Sequence, residues 1–167
     1  HRNAKVASGG IGVLQGGAMT VDATGKILTD VPVTPAGSTV PNEFLAANKN
    51  IVGTIAMAQS SGINSATNQF FFNTTNNSTA LDPQKFAVFG MVADTASRNA
   101  LLALAQTGTK DLTGGAFAAA HPTSLLNNVP LTNYNGTSAS FPTDANLDNY
   151  MRITDITVDK RTEFLTY

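Results

Sequence analysis

Apolar residues in this chain come in short runs of strand length, separated by turn-rich stretches, and that spacing restricts it to a mainly β fold. The runs predict strands at Gly12–Leu14, Gly53–Ala58, Phe70–Asn73, Phe86–Val92 and Arg152–Val158. In the last, Ile153, Ile156 and Val158 are apolar against polar Asp155 and Thr157. One segment, Thr95–Gln106, sets Ala96, Ala100, Leu101, Leu104 and Ala105 near helical spacing. Asp94 or Thr95 can cap its start, and Gly108 suits its end. Two long segments, about 20–50 and 108–149, are rich in Pro, Gly, Asn and Thr without any period, and read as insert loops. The class is α+β dominated by β, in a single domain over residues 1–167.

Composition removes several functions. A net charge of -1 argues against nucleic acid as a partner, because phosphate binding needs a basic surface. No apolar run is long enough to span a bilayer. Without Cys there is no disulfide or thiolate chemistry, and two distant His make a metal centre an unsuitable reading. No cofactor or metal is expected. Gly10-Ile11-Gly12 lacks the third Gly and helix of a dinucleotide fingerprint. Asp144, Asp148, Asp155 and Asp159 lack calcium-loop spacing. Asn73, Asn76, Asn77 and Asn135 head glycosylation sequons, which mean nothing in a bacterial chain. Charged residues are only 13 %, against about a quarter in an average domain, which points to a periplasmic or secreted protein.

The chemistry lies in an ordered set of blocks. These are His1-Arg2, Leu14-Gln15-Gly16-Gly17, Gly53-Thr54-Ile55-Ala56-Met57-Ala58, Gln69-Phe70-Phe71-Phe72-Asn73, Leu81-Asp82 and Phe86-Ala87-Val88-Phe89-Gly90. Ser65-Ala66-Thr67 precedes Gln69. In content and order they resemble the cyclophilin-type peptidyl-prolyl cis-trans isomerases, in the form common among secreted bacterial members. The resemblance runs from Arg2 to about Gln106 and resumes at Arg152–Val158. It implies a closed antiparallel eight-stranded barrel capped by helices, acting on proline-containing polypeptides. The family's first two strands and first helix would precede Arg2, so the chain is expected to lack the N-terminal part of the domain.

The implied chemistry is rotation about an X-Pro bond, whose barrier of ~18–20 kcal/mol comes from amide resonance. A catalyst needs a seat for the proline ring and donors that favour the twisted amide. The resemblance assigns Arg2 and Gln15 as catalytic residues. It assigns Val13, Ala58, Gln59, Gln69, Phe71, Leu81 and Phe86 to substrate binding, with Phe71 as the pocket floor. Strand alternation then sends Phe70 and Phe72 to the opposite face, where they are expected to be buried while Phe71 faces an external groove. Some positions depart from the family. Gly12 stands where a pocket Phe is usual, Val13 replaces a Met, and Ala80 replaces an aromatic. These changes make the pocket shallower and weaken the case for a cyclosporin-type inhibitor. The alternative function is a catalytically weak module that only binds Pro-containing segments. A monomer is expected.

Overall fold

The computed structural model describes residues 2–5, 10–121, 125–153 and 155–158. In chain order the strands are β1 (Arg2–Ala4), β2 (Val13–Gly16), β3 (Met19–Val21), β4 (Leu28–Asp30), β5 (Thr54–Met57), β6 (Phe70–Asn73), β7 (Val88–Met91), β8 (Thr109–Lys110) and β9 (Val129–Pro130). Two helices, α1 (Ser78–Leu81) and α2 (Thr95–Ala105), join them. Among the described residues the protein is therefore mainly β with two short α-helices, as the apolar spacing implies.

The centre is a five-stranded antiparallel sheet in the order β1-β2-β6-β5-β7. Its register builds one row across every strand, Arg2–Gln15–Phe71–Ala56–Val88. The neighbouring row, Asn3–Leu14–Phe72–Ile55–Gly90, faces the other way, because side chains alternate along a strand. Between the pairs Ile55–Gly90 and Ala56–Val88 the register shifts, leaving Phe89 as the extra residue of a bulge and 57 % exposed. The tight turn after β2 depends on Gly17, whose φ of +90° suits glycine and whose Cβ would collide with the Asn68 carbonyl oxygen.

Helix α2 starts as the sequence predicts. The Asp94 carboxylate accepts the Ser97 backbone N–H at 2.8 Å, and Leu101 and Ala105 are buried. The helix ends against β1, where the buried Asn3 amide donates to the Ala105 carbonyl at 3.0 Å.

The two long segments hold more order than their sequence suggests. The first contains the β3–β4 hairpin, and the second contains β8 paired with β9. Together they close a separate apolar core around Leu112, Leu126, Leu131, Tyr134 and Phe141. Phe141 stands edge-on to Phe117 and Tyr134, each at 5.8 Å between ring centres. The Tyr150 hydroxyl donates to the Gly25 carbonyl at 2.9 Å, tying the second segment to the hairpin of the first.

Three expectations need correction. Residues 152–153 and 155–158 are not a strand. Ile153 is 48 % exposed and Ile156 60 %, because the segment lies along no edge of the described sheet. The strand expected at Phe86–Val92 begins only at Val88, since Phe86 belongs to the loop that follows α1. The exposures of the phenylalanine triplet are also reversed. Phe71 is only 4 % exposed because Leu81 and Phe86 cover it, whereas Phe70 and Phe72 are half-buried. The described strands form an open five-stranded sheet and two two-stranded ones, with no closed barrel among them.

Candidate active site

A groove of about 490 Å³ lies over the face that carries Arg2, Gln15 and Phe71. All nine residues expected to act on substrate line it: Arg2, Val13, Gln15, Ala58, Gln59, Gln69, Phe71, Leu81 and Phe86. Alternation puts Val13 and Gln15 of β2 on the same side as Phe71 of β6, and the register brings Arg2 beside Gln15. Phe71 forms the floor with Val13, Ala56 and Leu81, and its ring meets Phe86 edge-on at 5.8 Å. The result is a rigid apolar seat with polar groups along one side.

The polar side is organised by pairs of amides. Gln15 Nε2 donates to Gln69 Oε1 at 2.9 Å across the groove. Arg2 Nε is buried and has no hydrogen-bond partner among the described residues. A buried donor without a partner costs about 1–3 kcal/mol. Gln59 is held by the Gln84 carbonyl, which its Nε2 reaches at 2.7 Å. The Ala58 N–H is already used by the Gln69 carbonyl at 2.9 Å, so a role for Ala58 falls to its carbonyl.

The seat is held by a chain of buried amides that sequence reading did not identify. Asn77 clamps Gly12, donating to its carbonyl at 2.9 Å and accepting its N–H at 3.1 Å. Asn77 also donates to Asn73 Oδ1 at 2.6 Å, and Asn73 donates to Asn50 Oδ1 at 3.1 Å and to Thr54 Oγ1 at 2.8 Å. Asn50 in turn donates to Asp82 Oδ1 at 2.9 Å and to the Phe86 carbonyl at 3.1 Å. This single network fixes the start of β2, the floor strand and the Leu81–Phe86 wall. Asn73 is 0 % exposed and Asn77 3 %, so their sequons are inaccessible. A run of Asn near Gly and Thr reads as turn composition, and only the fold shows it to be a buried network.

The departures at Gly12 and Ala80 also have a physical account. A Cβ at Gly12 would lie 2.9 Å from Thr74 and Thr75 side-chain atoms, so an aromatic cannot be added there without moving them. Ile11 lines the groove in its place. Ala80 is exposed and is not part of the groove lining. The sequence reading missed Ser60, Ser65, Thr67 and Leu125 of the lining; Leu125 comes from the second long segment, read as loop.

Among the described residues, no helix is long and apolar enough to cross a membrane. No curated protein matches the chain. Residues 6–123 match the family model described as cyclophilin type peptidyl-prolyl cis-trans isomerase. The match takes in every residue assigned to the site except Arg2, which precedes it. It covers well over half of the 167 residues, and the chain belongs to the cyclophilin-type peptidyl-prolyl cis-trans isomerase family.

Proposed function

We propose that the Arg2–Gln15–Phe71 groove is where this isomerase rotates X-Pro bonds. The observation that carries the reading is the shared row. Arg2, Gln15 and Phe71 sit side by side on three adjacent strands and on one face. The proline ring rests on Phe71, with Leu81 and Phe86 as its wall. Arg2, an always-charged fork of donors, approaches the amide from the edge strand. Its guanidinium donors gain most when rotation pyramidalises the prolyl nitrogen or leaves the preceding carbonyl without resonance. Gln15, held by Gln69, keeps the arginine side of the groove polar and contacts the substrate backbone. No proton, nucleophile or redox partner is consumed, because no bond is broken.

A protease-free isomerisation assay on a short X-Pro peptide tests this. Arg2→Ala is expected to lower kcat about 100-fold, the typical effect of removing one transition-state donor, and to change KM less than threefold. Equal losses in kcat and in affinity would favour the second reading, a weak module that holds Pro-containing segments. That reading is supported by the missing aromatics at Gly12 and Ala80.

The rest of the proposal is broader. Low charge and absent Cys support a periplasmic or secreted site of action on extracytoplasmic polypeptides, with the chain working as a monomer. Half-buried Phe70 and Phe72 on the face away from the groove support a closed barrel. Ala80 supports weak binding of cyclosporin-type inhibitors.

A further inference from the structure

A second cleft opens next to the groove. Val21 and Leu28 of the β3–β4 hairpin form one wall, and Leu126, Val129, Phe141 and Tyr150 of the second core form the other. Thr20, which is exposed, lies at its edge. The cleft holds about 130 Å³. An apolar cavity of roughly 150 Å³ takes up benzene, so this one has room for a single leucine or phenylalanine side chain. Most of its lining comes from residues beyond the stretch that matches the family, so it is a feature of this chain's own second core.

Leu125 joins the two sites. It lines the cleft on one side and the groove on the other, and it is 8 % exposed, so it acts as a shared partition. An extended chain advances ~3.3–3.6 Å per residue, so crossing one side chain takes roughly two to four residues. We propose that the cleft is a second subsite for the polypeptide substrate, receiving an apolar side chain a few residues from the proline. This rests on reading the groove as the isomerisation site. The occupant follows from continuity and chemistry. Leu125 makes the groove and the cleft contiguous, and apart from Thr20, Tyr150 and Arg152 the cleft is lined by apolar side chains, which offer dispersion and burial.

The test uses peptides with a single X-Pro bond and either leucine or serine two, three or four residues before or after it. KM is read in the protease-free assay, and affinity by fluorescence anisotropy of the same labelled peptides. At one offset, leucine is expected to lower both KM and Kd about tenfold relative to serine, in line with burying one such side chain. Thr20→Trp, on an exposed edge position, fills the cleft and is expected to erase that difference, with circular dichroism verifying the fold. Equal values for leucine and serine at every offset would overturn the proposal and leave the cleft to another occupant, such as a second copy of the chain. A leucine advantage that survives Thr20→Trp would overturn it too, because the side chain would then bind elsewhere. Absence of turnover on every peptide would instead remove the isomerase reading of the groove, and the anisotropy ratio would still decide the cleft.

Discussion

The two cores of this molecule are held together by opposite means. Around Phe71 the core is small and apolar, and a string of buried asparagines fixes its edges. Around Phe141 the core is larger, is built of leucine, valine, alanine and aromatic side chains with rings edge-on to one another, and belongs to segments with little regular structure. The first core positions a site, so it needs directional bonds that set angles. The second fills space, and non-directional burial is enough for that.

Substitutions can break this contrast, and the largest expected effect is in the second core. Phe141→Ala removes a ring that is 3 % exposed and should cost about 4 kcal/mol of stability, read from denaturant unfolding. Its effect on turnover of a short peptide should be much the smaller one. Asn73→Ala should reverse that balance. It leaves the Asn50 side-chain carbonyl without its donor and takes from the Asn77 amide one of its two acceptors, the Gly12 carbonyl remaining, at about 1–3 kcal/mol, and it loosens the floor and wall together. KM for a short X-Pro peptide should rise several-fold. If Phe141→Ala proved the more damaging to KM, the division between positioning core and filling core would be wrong.

Smaller effects sharpen the comparison through pH. Burial, and then the hydrogen bond to Asp144, push the Tyr134 hydroxyl up from 10.0 to about 12. Between those values the unfolded chain ionises while the folded one does not. The stability due to Tyr134 is therefore complete below pH 10 and is lost as pH rises towards 12. An alkaline series of unfolding curves should show that decline, and Tyr134→Phe should flatten it while costing about 1 kcal/mol at neutral pH. The smallest effect is at the start of α2. The backbone and then the side chain of Ser97 hold the Asp94 carboxyl below its usual value. Its stabilisation is present above the ordinary carboxylate range and fades as pH falls through the lowered value. Asp94→Ala should therefore be slightly less stable than the parent at neutral pH, with the gap in melting temperature closing in acid.

The same contrast explains what could be read in advance. The sheet and the groove were legible because they are written in contiguous blocks. Gln69–Asn73 has strand alternation, Gln15-Gly16-Gly17 marks its turn, and each block carries a residue of the site. The Phe71 exposure was misjudged because Leu81, at the end of α1, and Phe86, in the loop after it, reach its ring by a path that no local pattern gives. The second core was illegible for a different reason. Leu112, Tyr134 and Phe141 are isolated apolar residues, and Leu125-Leu126 a lone pair, among polar and small residues, and without periodicity nothing marks them as neighbours. Arg152–Val158 shows the opposite failure. Ile156-Thr157-Val158 alternates as a strand does, with Ile153 out of phase, but alternation supplies no partner, and no described strand edge takes the segment up.

Arg2 sits on a three-residue strand at the margin of the sheet, paired with β2 alone on that side of the row. What pins its other side is the bond from the Asn3 N–H to the Asn128 carbonyl, at 2.9 Å, together with the Asn3 side chain on the end of α2. Margins of this kind open far more often than the interior does. On the proposed role of Arg2, the arginine would work with a duty cycle, productive while the seam is shut and idle while it is open. Turnover per molecule would then scale with the shut fraction, and warming should erode activity at temperatures where the bulk of the sheet is still folded.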